Sequence, residues 1–98
     1  MSIRDEYDFE FLVNEAERLV LEQLEKQLME TNSAEVCTCQ DCVLDMAAFA
    51  LNNVKPLYRV SLLGTLYARA LEGSEYEQEI ASAVTRAISR VSANPSHS

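Results

Sequence analysis

Three cysteines, Cys37, Cys39 and Cys42, fall within six residues and carry the strongest chemical signal in the sequence. Zinc takes thiolates at roughly 2.3 Å in a tetrahedron, and a tight turn running into a helix N-terminus delivers such geometry. The unpaired N–H groups of that N-terminus also favour the thiolate form of Cys42. The chain has only these three cysteines, so a fourth ligand must come from elsewhere. Water, Asp41, Glu35, His97 or a group from a second subunit would serve. With no exposed coordination position, zinc here is structural and pins the loop to the helix that follows. Two other readings stay open. Cys39-Gln40-Asp41-Cys42 is also a C-x-x-C at a helix start, as in thiol oxidoreductases, although those sit in a βαβ setting that this chain lacks. One or more thiols can also serve as small buried hydrophobes.

Three helices are expected to position this cluster. The first runs from about Asp8 to Met29, with Phe9, Leu12, Val13, Ala16, Leu19, Val20, Leu24 and Leu28 on one amphipathic stripe. Its acids crowd the first half, where they complement the helix dipole, and Thr31-Asn32-Ser33 ends it. The second runs from about Asp41, as N-cap, to Asn53, with Asn52-Asn53 and Pro56 as the stop. Its stripe is Leu44, Ala47, Ala48 and Leu51, but Met46, Phe49 and Ala50 make the rest of the surface apolar too. A helix that is apolar nearly all round is buried on several sides, one of them against a partner subunit. The third runs from about Ser74 to Ser92, with Ile80, Val84, Ala87, Ile88 and Val91 in register. Between the last two, Val54–Val60 reads as a short extended segment that Pro56 confines to a sheet edge, open to a second chain. Leu66–Leu71 fits a helical turn or a strand equally well. Residues 92–98 read as a flexible tail.

Size and charge bound what this scaffold can do. Ninety-eight residues make a single domain, residues 1–98, with a modest core. Domains this short recruit a metal, a disulfide or a second copy. Sixteen acids oppose eight bases, for a net charge of -8. Residues 1–30 hold nine of the acids against three bases, a local charge of -6. That balance opposes binding to nucleic acid or to an anionic membrane. The acids near the start exclude a secretory signal, and the longest apolar run, Val43–Leu51, is interrupted by Asp45 and too short to span a bilayer. A cytoplasmic setting follows, where clustered thiols stay reduced.

Longer stretches are familiar in combination. Cys37-Thr38-Cys39-Gln40-Asp41-Cys42-Val43-Leu44-Asp45, Ala47-Ala48-Phe49-Ala50-Leu51-Asn52 and Pro56-Leu57-Tyr58-Arg59-Val60 resemble the late competence protein ComFB family. So do Asn14-Glu15 near the start and Val91-Ser92-Ala93-Asn94-Pro95-Ser96-His97 at the end. The resemblance implies a compact helical domain that forms symmetric dimers, with zinc on Cys37, Cys39 and Cys42. It also implies a cytoplasmic, non-enzymatic receptor for a cyclic dinucleotide (cyclic di-GMP or cyclic di-AMP), linked to competence, motility or pilus-dependent behaviour. The pattern departs from the family at Leu57 and Ser96, where an arginine often stands.

The expected fold class is therefore mainly α: a compact three-helix domain with a short edge strand, working as a homodimer. A cyclic dinucleotide needs cations for its phosphates and aromatic faces for its bases. Lys55, Arg59 and Arg69, with Tyr58 and Tyr67, are the candidates. A two-fold dimer would present each of them twice to a two-fold ligand. The same groups also read as ordinary solvated edge charges and core-packing rings. A second function class is a dimeric adaptor that binds a downstream protein through its acidic first helix, with a purely structural zinc and no nucleotide. Catalysis fits worst, because the single histidine lies in the tail and no nucleophile has a recognisable base partner.

Overall fold

The computed structural model describes residues 2–31, 35–60 and 75–95. Among them are four α-helices, α1 (Ile3–Glu6), α2 (Glu15–Glu30), α3 (Gln40–Leu51) and α4 (Glu75–Ala93), and two short strands, β1 (Val13–Asn14) and β2 (Tyr58–Arg59). A 3-10 turn, Phe9–Phe11, lies between α1 and β1. The architecture is the expected one, three long helices with a minimal sheet.

The first expected helix, from about Asp8, breaks into a 3-10 turn, β1 and α2, with the separate α1 ahead of it. A short polar side chain starts each helical piece. The Ser2 hydroxyl accepts the Arg4 N–H at 3.1 Å, Asp8 Oδ1 accepts Glu10 N–H at 2.9 Å, and Asn14 Oδ1 accepts Ala16 N–H at 3.1 Å. Each bond ties a side chain to the backbone two residues on and offers the chain an alternative to helical pairing. Asn14, in extended conformation, is the cap from which α2 starts. Phe9, Leu12 and Val13 therefore leave the expected stripe. Ala16, Val20 and Leu24 remain on it, four residues apart and buried.

α3 turns a different face inward from the one its first apolar stripe suggests. Cys42, Met46 and Ala50 are buried with Ala47, whereas Leu44 is 59% exposed and Ala48 is exposed. A helix that is apolar on every side gives periodicity nothing to choose between, and packing against α4 makes the choice. α4 offers Ile80, Ala83, Val84, Ala87, Ile88 and Val91 on one stripe, and its alanines let α3 approach closely. α2 closes the core from the other side. The Gln27 amide crosslinks α2 to α4: Nε2 donates to the Ala81 carbonyl at 3.0 Å, and Oε1 accepts from the Thr85 hydroxyl at 2.9 Å. At the C-terminal end of α3 the Asn52 and Asn53 amides donate to the Ala48 and Phe49 carbonyls at 2.9 and 2.7 Å. The two asparagines stop the helix as the sequence suggests.

β2 is shorter than the expected extended segment and pairs within the chain. It lies antiparallel to β1, Val13 opposite Arg59 and Asn14 opposite Tyr58. One edge of the strand is thus covered by residues expected to be helical. α4 runs to Ala93, one residue past its expected end. The stretch Leu66–Leu71, with Tyr67 and Arg69, lies outside the described residues, as do Ser74 and His97.

Candidate metal centre

The loop before α3 brings the three thiols together. The Sγ atoms of Cys37, Cys39 and Cys42 all lie within 4.8 Å of one another. A tetrahedral zinc–sulfur centre with bonds of roughly 2.3 Å sets its sulfurs about 3.8 Å apart, so a small contraction closes the three onto one ion. Cys42 is fully buried and the other two are half-buried. No disulfide joins them among the described residues.

The local backbone is built around Cys39. It sits in extended conformation as the N-cap of α3, the place expected for Asp41, and its Sγ accepts the Cys42 N–H at 3.5 Å. An N–H aimed at sulfur stabilises negative charge there, which suits a thiolate ligand. Asp41 falls in the first turn instead. It lines a shallow depression with Cys37, Cys39 and Gln40, at the solvent side of the cluster. Neither the Asp41 nor the Glu35 carboxylate joins the group of converging donor atoms. The described residues therefore supply three ligands, all sulfur, a set that fits zinc.

Three of the five expected nucleotide contacts, Lys55, Tyr58 and Arg59, lie among the described residues. Tyr58 is 62% exposed on β2. Lys55 is exposed, and its backbone carbonyl accepts the Tyr76 hydroxyl at 2.6 Å. Arg59 turns inward, where its Nε donates to Glu15 Oε1 at 2.6 Å. Tyr67 and Arg69 fall outside the described residues.

Glu15 is the residue that reading the sequence for chemistry missed. It is only 2% exposed and also accepts from Arg18 Nε at 2.8 Å. The hydrogen bonds from Arg18 and then Arg59 hold its carboxyl below the usual carboxylate range, against the opposing effect of burial. The available signal was an acid directly after a capping asparagine, at the head of an apolar stripe.

The family model described as Late competence development protein ComFB matches residues 13–95. The chain belongs to the ComFB family. A solved structure of the late competence protein ComFB from Bacillus subtilis is similar to it, with a TM-score of 0.72 and 29% identity. That likeness covers 87% of this chain and 92% of the other. None of the curated proteins compared with the chain matches it. The resemblance read from the cysteines, the Ala-Leu-Asn helix and the Pro-Leu-Tyr segment is thereby borne out. The ComFB match takes in the cysteine cluster, α2 to α4 and both strands, and it leaves out the arm before Val13.

Proposed function

We propose that this ComFB-family chain is a non-catalytic binding protein, organised by a structural zinc on Cys37, Cys39 and Cys42. The convergence of the three sulfurs within 4.8 Å carries this reading. Zinc there would tie the 35–39 loop to the first turn of α3, whose Cys42 and Met46 are fixed in the core. A cytoplasmic location would keep the thiols reduced. No helix of the described residues is long and apolar enough to cross a membrane. The non-catalytic reading draws support from Glu15, the buried carboxylate, whose two oxygens are both engaged by arginines.

The working state is a homodimer. Met29 is 80% exposed and Leu44 59%. A largely apolar groove formed by Leu21, Leu24, Leu28, Met29 and Val43, with Glu25 and Thr38 at its edge, lies between α2 and α3. A second copy covering this largely apolar face would supply the core that a short domain lacks.

The ligand we infer is a cyclic dinucleotide, with the exposed Tyr58 ring for stacking and Lys55 for a phosphate, each presented twice by the dimer. One observation favours the adaptor reading instead: the Arg59 guanidinium is committed to Glu15 and not to solvent. Native mass spectrometry with cyclic di-GMP or cyclic di-AMP decides between them. A dimer carrying about one zinc per chain and a nucleotide-dependent mass increment supports the receptor. A zinc-loaded dimer that ignores both nucleotides leaves the adaptor.

A further inference from the structure

The arm before Val13 lies outside the family match and buries none of its helical residues. Between this arm and α2 runs an open groove of about 820 Å³. Its apolar lining is open to solvent: Leu12 by 44%, Leu21 by 47% and Tyr58 by 62%. Leu21 stands between Glu17 and Glu25, one turn away on each side of α2, so the two carboxylates flank it about 12 Å apart. Both acids are exposed and form no ion pair among the described residues, whereas the groove's two cations are engaged. Arg18 holds Glu15 and Glu22, and Arg4 lies 5.8 Å from the centre of the Phe9 ring.

We propose that this groove docks a cationic amphipathic helical segment of a partner protein. An apolar side chain enters between Leu12, Leu21 and Tyr58, and Lys or Arg residues one turn before and after it meet Glu17 and Glu25. The groove's charge selects this occupant over a second copy of the chain. A two-fold contact centred on this groove would set Glu17, Glu22 and Glu25 of one copy against the same acids of the other. A head-to-tail contact through Arg86 and Arg90 brings bases four residues apart, and the apolar Ala87 and Ile88 between them are buried in their own core. The groove meets the apolar face between α2 and α3 at Leu21 and Glu25 and runs from there toward the arm, whereas Leu28, Met29 and Val43 line only that other face.

The probe is a synthetic amphipathic helix of about 16 residues, with lysines eight apart flanking a leucine to match the α2 repeat. Its control carries glutamate for each lysine. Amide shifts of the isotope-labelled protein locate the contact, and fluorescence anisotropy measures affinity. The lysine peptide is expected to move Leu12, Glu17, Leu21, Glu25 and Tyr58, and to bind roughly tenfold more weakly on a tenfold rise in salt. Glu17→Lys with Glu25→Lys exchanges two exposed side chains and keeps the fold. It should weaken the lysine peptide by about tenfold or more and turn preference toward the glutamate control. Equal binding of the two peptides to the native chain overturns the proposal. So does a footprint on Leu28, Met29 and Val43, or no binding by the lysine peptide.

Discussion

The Glu15 carboxylate and the Arg59 guanidinium meet at 2.6 Å, joining the first turn of α2 to β2. The contact is reinforced by the backbone, because Glu15 N–H donates to the Leu57 carbonyl at 2.7 Å. The minimal sheet is therefore held by one buried acid more than by its own two-residue ladder. Glu15→Gln should destabilise the fold by about 1–3 kcal/mol. That is less than a fully buried pair would cost, because Arg18 and Arg59 keep 32% and 26% of their side chains in water. Arg59→Ala should cost less than Glu15→Gln, since Glu15 then retains Arg18. Urea titrations of the two variants check the order.

The same acid makes stability depend on pH. Its pKa is lowered in the folded chain from an ordinary 4.5. Its contribution is thus complete above that value and is lost as pH falls through the lower folded value. The stability gap between the native chain and Glu15→Gln should be constant near neutrality and shrink below about pH 4.5. Urea midpoints measured from neutral to acid pH test this. A gap that widens toward acid would contradict the assignment.

Asn14 shows how much was legible and where reading failed. It stood among the residues that carried the family resemblance, but its role as a cap was hidden inside a run of apolar residues with helical spacing. Periodicity reports which side chains are apolar, while Ser2, Asp8 and Asn14 decide through local hydrogen bonds where the backbone restarts. The stripe on α4 was legible because polar residues frame it on every turn. The inward face of α3 was not, because Leu44 and Met46 are equally apolar and only packing separates them. The convergence of the three thiols was legible from type and spacing alone. The commitment of Arg59 to Glu15 was not, because it joins elements that meet only in the folded chain.

Asn14 Oδ1 also accepts the Leu57 N–H at 2.8 Å, in addition to that of Ala16. One side-chain oxygen thus caps α2 and fixes the start of β2. Asn14→Ala should cost about 1–3 kcal/mol, more than loss of a cap alone, because a second donor is orphaned. Asn14→Asp keeps the acceptor and should recover most of it. Thermal melts of the pair provide the comparison, and equal losses would mean that the shared oxygen is not what matters.

Metal removal should act on the loop before α3 and through it on the core. Cys39→Ser removes one of three sulfurs and the acceptor that caps the helix. It should release the metal and lower the melting temperature by about 10 °C or more. A chelator should give the native chain a similar fall. Cys39→Ser with unchanged melting and full metal content would rule out a structural zinc.

The apolar face between α2 and α3 yields the last expectation. Leu44 points away from the core, so a charge placed there meets only water in a monomer. Leu44→Glu should therefore change monomer stability by less than about 0.5 kcal/mol. In a dimer whose interface covers α3 the same carboxylate would be desolvated without a partner, which is costly. Sedimentation of the variant should then show monomer at concentrations where the native chain is dimeric, with an unchanged helical circular dichroism spectrum. A dimer that tolerates both Leu44→Glu and Met29→Glu would move the subunit contact to another face.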